Sequence, residues 1–196
     1  MAEPVKLYFD YKSPFAYLAS QRAWELPERF QVSLRWIPYL LRLKGPGQRS
    51  IYSDWKAQYS YADARRFANQ RGGFKIMGPR KIYDSRPALV GGLFAQREGF
   101  FRAYTEEVYR RFFGRRLEID RPEEIAGLIA ELGHSAEAYG RYRDGEGAAA
   151  LEAAIAEGHA DHVFGVPLFL LRGEQFWGND RMALLEERLT EYGLRR

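Results

Sequence analysis

The chain has 196 residues, enough for one large domain or one domain carrying an insertion. A hydrophobic content of 46% with 15% aromatic residues excludes a disordered chain, and there is no apolar run of the ~18 residues needed for a membrane-spanning helix. The net charge of +4 is spread along the chain among Asp and Glu, which argues against a nucleic-acid-binding face and suits an anionic small molecule.

The absence of cysteine closes two further routes. The chain cannot carry out thiol–disulfide exchange with its own residues, and it cannot build a thiolate metal site. Met1-Ala2-Glu3-Pro4 has no basic segment and no long apolar segment, so no signal peptide is expected.

In chain order, Val5, Leu7 and Phe9 alternate with more polar positions, which predicts a half-buried strand. The period then changes to a helical one, with Phe15, Leu18, Ala19, Arg22 and Leu26 on one face. Ser13 stands at the junction as a preferred N-cap, and Pro14 suits the first helical position, where its missing N–H costs nothing. The helix is expected from Pro14 to about Trp24 or Leu26, ending before Pro27. Val32, Leu34 and Trp36 then predict a second strand over 31–38, parallel to the first through a right-handed crossover. Tyr39-Leu40-Leu41 leads into a loop at Lys44-Gly45-Pro46-Gly47.

Residues 51–160 read as helix almost throughout. Ser53-Asp54-Trp55-Lys56 looks like a helix start, Gln70-Arg71-Gly72-Gly73 a break, and Gly78-Pro79 a loop. Helices are expected over 87–98, with a small face of Ala88, Gly92 and Ala95, and over 100–113, with aromatics at helical spacing. Another opens at Pro122 and ends near Gly133, and a short one covers 135–143. Gly145-Glu146-Gly147 is expected to separate that from an alanine-rich helix over 148–159. Val163–Leu171, Arg172-Gly173-Glu174 and Gln175–Arg181 then read as strand, turn, strand and helix start.

Taken alone, Ser13 has two readings. It can simply cap the helix, or it can place a hydroxyl where free N–H groups and the helix dipole favour an anion. A triad nucleophile is disfavoured, since Ser13 lacks a Gly-x-Ser-x-Gly elbow. His159 and His162 flank Asp161 at a metal-ligand spacing, but no third ligand is evident and no metal site is expected.

Three stretches together carry a resemblance: Ser13-Pro14 after the N-terminal strand, Phe164-Gly165-Val166-Pro167, and Trp177-Gly178-Asn179-Asp180-Arg181. With them the chain resembles, over essentially its whole length, the thioredoxin-like branch containing 2-hydroxychromene-2-carboxylate isomerases and kappa-class glutathione transferases. The resemblance implies an α/β, thioredoxin-like fold with a large all-helical insertion. The thioredoxin-like part would be residues 1–48 and 161–196, and the insertion 49–160.

The resemblance also implies glutathione as cofactor, with the catalytic hydroxyl of Ser13 hydrogen-bonded to its sulfur. A cis Val166–Pro167 bond would present the Val166 backbone to the cysteinyl part, and Gly178, Asn179, Asp180 and Arg181 would surround the γ-glutamyl group. Lys56, Phe15 and Tyr39 would face an aromatic or unsaturated carboxylate substrate. The implied activity is a glutathione-dependent isomerase. A glutathione transferase acting on electrophiles and a non-catalytic glutathione-binding protein are the alternatives. A homodimer in the cytoplasm, with no nucleic-acid or membrane partner, completes the expectation. Two features depart from the pattern: His162 stands where relatives have a small residue, and the Leu43-Lys44-Gly45-Pro46-Gly47 loop lacks their asparagine.

Overall fold

A computed structural model describes residues 2–41 and 51–196, with the side chains of 51–53 excepted. The Leu43–Gly47 loop lies outside the described residues. Strand β1 (Glu3–Phe9) runs through the middle of a sheet ordered β2-β1-β3-β4. It pairs in parallel with β2 (Val32–Pro38) and antiparallel with β3 (Leu168–Leu171), which pairs antiparallel with β4 (Glu174–Trp177). Val5, Leu7, Tyr8 and Phe9 are all buried, because helices cover both faces of a central strand.

The first helix, α1 (Pro14–Arg29), outruns its expected end and passes through Pro27. Pro27 falls in the last turn, so the ring removes only one helical hydrogen bond, and Phe30 N still donates to Leu26 O at 2.8 Å. Ala23 and Leu26 are fully buried, so docking holds that turn in place.

Helix α2 (Ile51–Arg71) begins before the expected Ser53 start and ends at Gly72 and Gly73, both with positive φ. It is followed by α3 (Arg86–Arg97), α4 (Phe101–Phe113), α5 (Pro122–Glu131), α6 (Ala136–Tyr142) and α7 (Ala148–Ala160). The expected break at Gly145-Glu146-Gly147 is present as a kink within a short π-type turn over Arg143–Gly147, between α6 and α7. Gly145 makes the kink there, at φ −103° and ψ −109°, outside the helical region, so the helical path is interrupted at this glycine. Helix α8 (Met182–Glu191) closes the fold. Among the described residues, no helix is long and apolar enough to cross a membrane.

The helices between β2 and β3 share one core with the sheet: Val5, Leu18, Tyr104, Phe113, Ile129 and Leu185 belong to a single cluster. Tyr17 of α1 stacks on Phe113 of α4 at a centroid distance of 5.4 Å and an interplanar angle of 1°. The small face of α3 makes this packing possible. A Cβ at Gly91 would lie 2.2 Å from the Tyr104 hydroxyl, whereas one at Gly127 on α5 would meet nothing within 4 Å. Gly91→Ala should therefore destabilise by about 1–3 kcal/mol through overpacking. Gly127→Ala should stabilise by about 0.5–1 kcal/mol through helix propensity. Denaturant unfolding of both variants checks the pair, and equal shifts would refute the packing argument.

Candidate functional site

The site begins where β1 gives way to α1. Ser13 is 4% exposed, and its Oγ accepts from Ala16 N at 3.1 Å, as an N-cap does. The same hydroxyl donates to the carbonyl oxygen of Val166 at 3.0 Å. Val166 precedes Pro167 through a cis peptide bond, the geometry expected from the sequence. The Ser13 hydroxyl thus spans from the helix N-terminus to the cis-proline loop, 153 residues away.

A buried ion pair steadies this turn. The Asp10 carboxylate has no exposure and accepts from Lys12 N at 3.0 Å and Leu41 N at 2.8 Å. The Lys12 ammonium lies 3.6 Å from Asp10 and donates to Leu41 O at 2.9 Å. Burial pushes the Asp10 carboxyl up, opposed by the Lys12 charge and by the two backbone N–H groups. Ser13 N donates to Asp10 O at 3.0 Å within the turn, and the bonds of Asp10 and Lys12 to Leu41 fasten that turn to the residues just after β2.

The cis-proline loop is held from its other end. On the sheet, Lys6 and Arg35 reach Glu157 at 2.9 and 2.7 Å, and Lys6 and Tyr8 both bond Asp161, fixing the end of α7. His162 follows in the left-handed region at φ +57°. Tyr39 donates to Val163 O at 2.9 Å and packs against Gly158, where a Cβ would be 2.7 Å from its ring. Through these contacts Tyr39, a residue expected to face substrate, also supports the loop. Phe164 and Trp177, both exposed, meet edge to face at 4.9 Å across Gly165.

The third stretch joins the other two through hydrogen bonds. Gly178 N donates to Pro167 O at 2.9 Å. Gly178 has φ +112°, and a Cβ there would lie 2.5 Å from an Asp180 carboxylate oxygen, so the turn requires glycine. Asn179–Arg181 forms a single 3-10 turn leading into α8. Neither Asn179 nor Asp180 caps a helix with its side chain. Asn179 is buried and turns inward, accepting at its amide oxygen from Arg71 at 2.8 Å. Asp180 is half exposed and paired with Arg181 at 2.7 Å.

Arg71, the last residue of α2, also donates to Leu18 O of α1 at 3.0 Å. A continuous circuit results: Ser13, Val166, Pro167, Gly178, Asn179, Arg71, and back to α1 through Leu18. Sequence reasoning missed Arg71, because nothing in a helix end before two glycines points to a partner 108 residues away. Asp10 and Lys12 were also passed over, although two charges beside an apolar strand were a readable signal. Of the expected substrate residues, Phe15 is partly buried against the core, and Lys56 is exposed on α2, four residues before Ser60 and one turn from the exposed Tyr59.

Among known proteins, the model of the DSBA-like thioredoxin domain matches residues 4–190. The 2-hydroxychromene-2-carboxylate isomerase of Pseudomonas putida is 33% identical over 193 residues, covering 93% of this chain and 92% of that protein. A solved 2-hydroxychromene-2-carboxylate isomerase superposes with a TM-score of 0.80 at 26% identity, covering 96% of this chain and 95% of the other. The disulfide reductase DsbM of Pseudomonas aeruginosa superposes with a TM-score of 0.66 at 19% identity, covering 95% and 98%, a likeness of fold. With its cysteine-free site of Ser13, cis-Pro167 and the Gly178–Arg181 turn, the chain belongs to the 2-hydroxychromene-2-carboxylate isomerase family, isomerases built on the DSBA-like thioredoxin domain.

Proposed function

We propose that the chain isomerises 2-hydroxychromene-2-carboxylate, or a closely similar unsaturated carboxylate derived from an aromatic compound, with glutathione as its thiol cofactor. The observation that carries this reading is the Ser13 hydroxyl, buried at the N-terminus of α1 and bonded to the carbonyl before the cis-proline, in a chain without cysteine. The residues present fit a thiol peptide. They offer a hydroxyl on a helix N-terminus, an accessible Asp180 carboxylate, and a loop and turn joined by hydrogen bonds. When bound, glutathione supplies a thiol that adds reversibly to the unsaturated acid, so that rotation about a former double bond is possible.

The chain's own residues would do the rest. Ala16 N orients the Ser13 oxygen, leaving its single proton to donate; that proton lies on Val166 O and can be redirected to a sulfur. The positive end of α1 favours negative charge at the same point. Asp180 would hold an ammonium, and Lys56 would draw a substrate carboxylate. Phe164 and Trp177 give the rim of the loop an apolar surface suited to an aromatic ring. A homodimer in a glutathione-containing cytoplasm is the assembly and compartment this reading expects.

The test is product analysis with glutathione present at well below one equivalent of substrate. The expected result is many turnovers per glutathione, with the thiol recovered and the product isomeric with the substrate. A stoichiometric conjugate would make the protein a transferase, and turnover independent of glutathione would overturn the cofactor assignment.

A further inference from the structure

We propose that Arg71 is the cation that receives the α-carboxylate of an amino-acid head group whose ammonium is held by Asp180. The inference rests on the glutathione reading and names how its γ-glutamyl end is recognised. An α-amino acid group carries an ammonium and a carboxylate on the same carbon, so a site for it needs both an anion and a cation. Asp180 supplies the anion. Arg181 is a poor candidate for the cation, because Asp180 already pairs with it at 2.7 Å.

Arg71 meets the requirement. One of its terminal nitrogens makes both bonds, to Leu18 O at 3.0 Å and to the Asn179 amide oxygen at 2.8 Å. Those bonds hold the guanidinium beside the residue that precedes Asp180. Guanidinium carries five N–H groups, and the two on that nitrogen account for these contacts. Arg71 makes no ion pair with a carboxylate of the described residues, although most arginines of the chain do. Partial burial and the nearby Arg22 both oppose its charge, which an incoming carboxylate would relieve. Its position at the end of α2 leaves the residue exposed to solvent, where a ligand can reach the remaining edge. That edge is the planar fork that binds carboxylates in pairs of hydrogen bonds.

The test compares two ligands on three proteins by titration calorimetry. The ligands are glutathione and its analogue lacking the α-carboxylate; the proteins are wild type, Arg71→Ala and Arg71→Gln. Arg71→Gln retains an amide N–H for Leu18 O or Asn179 should the alanine variant fold poorly. Removing a charge-assisted pair is expected to weaken glutathione binding by about ten- to a hundredfold. Both variants should bind the decarboxylated analogue as wild type does, since for that ligand no carboxylate is lost. Equal weakening of both ligands would reduce Arg71 to a strut for the Asn179 turn, and unchanged glutathione binding would remove it from the site; either result overturns the assignment. If wild type binds glutathione at no concentration tested, the cofactor reading fails first and takes this assignment with it.

Discussion

Ser13→Ala is expected to lower isomerase turnover about a hundredfold, the loss seen when one positioned donor to a developing anion is removed. The hydroxyl has two hydrogen bonds to lose, from Ala16 N and to Val166 O, both in a buried place. Their loss should cost about 1–2 kcal/mol of stability. A domain with a typical stability of about 5–15 kcal/mol tolerates that and stays folded. The two roles of Ser13 separate in one experiment. If it only caps α1, the variant melts a few degrees lower and turns over at nearly the wild-type rate. If it also serves a bound thiol, turnover falls far more than the small loss of folded protein can explain. Circular dichroism melts and initial rates on the same preparation decide between them.

Asp180→Asn should weaken glutathione binding by about ten- to a hundredfold, the value of a charge-assisted hydrogen bond of about 1.5–3 kcal/mol. The structure sharpens this expectation. From sequence alone, Asp180 could have been an N-cap, and its loss would then have been a stability effect. Its side chain caps nothing, and its partner is the exposed guanidinium of its neighbour Arg181. An exposed pair of that kind contributes about 0–1 kcal/mol. The melting temperature should therefore hardly move while the titration with glutathione changes. Wild-type affinity in Asp180→Asn would place the ligand's ammonium elsewhere.

Much of this arrangement was legible in the sequence, for identifiable reasons. The change of hydrophobic period at Ser13-Pro14 is local, so the strand, the cap and the first helix could be placed by spacing alone. The order of elements and the three motif stretches then gave the fold and the cis bond at Pro167. What could not be read is what depends on distant partners. Pro27 looked like a stop because its cost is local, whereas the burial of Ala23 and Leu26 that carries the helix past it is tertiary. Arg71 had no local signature, since its role arises only when the end of α2 meets Asn179.

The most direct measurement of the central claim is the ultraviolet absorbance of thiolate in the glutathione complex, titrated against pH. A free thiol of this kind ionises near pH ~8.5 or somewhat above. With Ser13 donating to the sulfur at the N-terminus of α1, the bound thiol should ionise at least about one unit lower. In Ser13→Ala it should move back toward the free value. A bound thiol that titrates like free glutathione, in wild type and variant alike, would contradict the account.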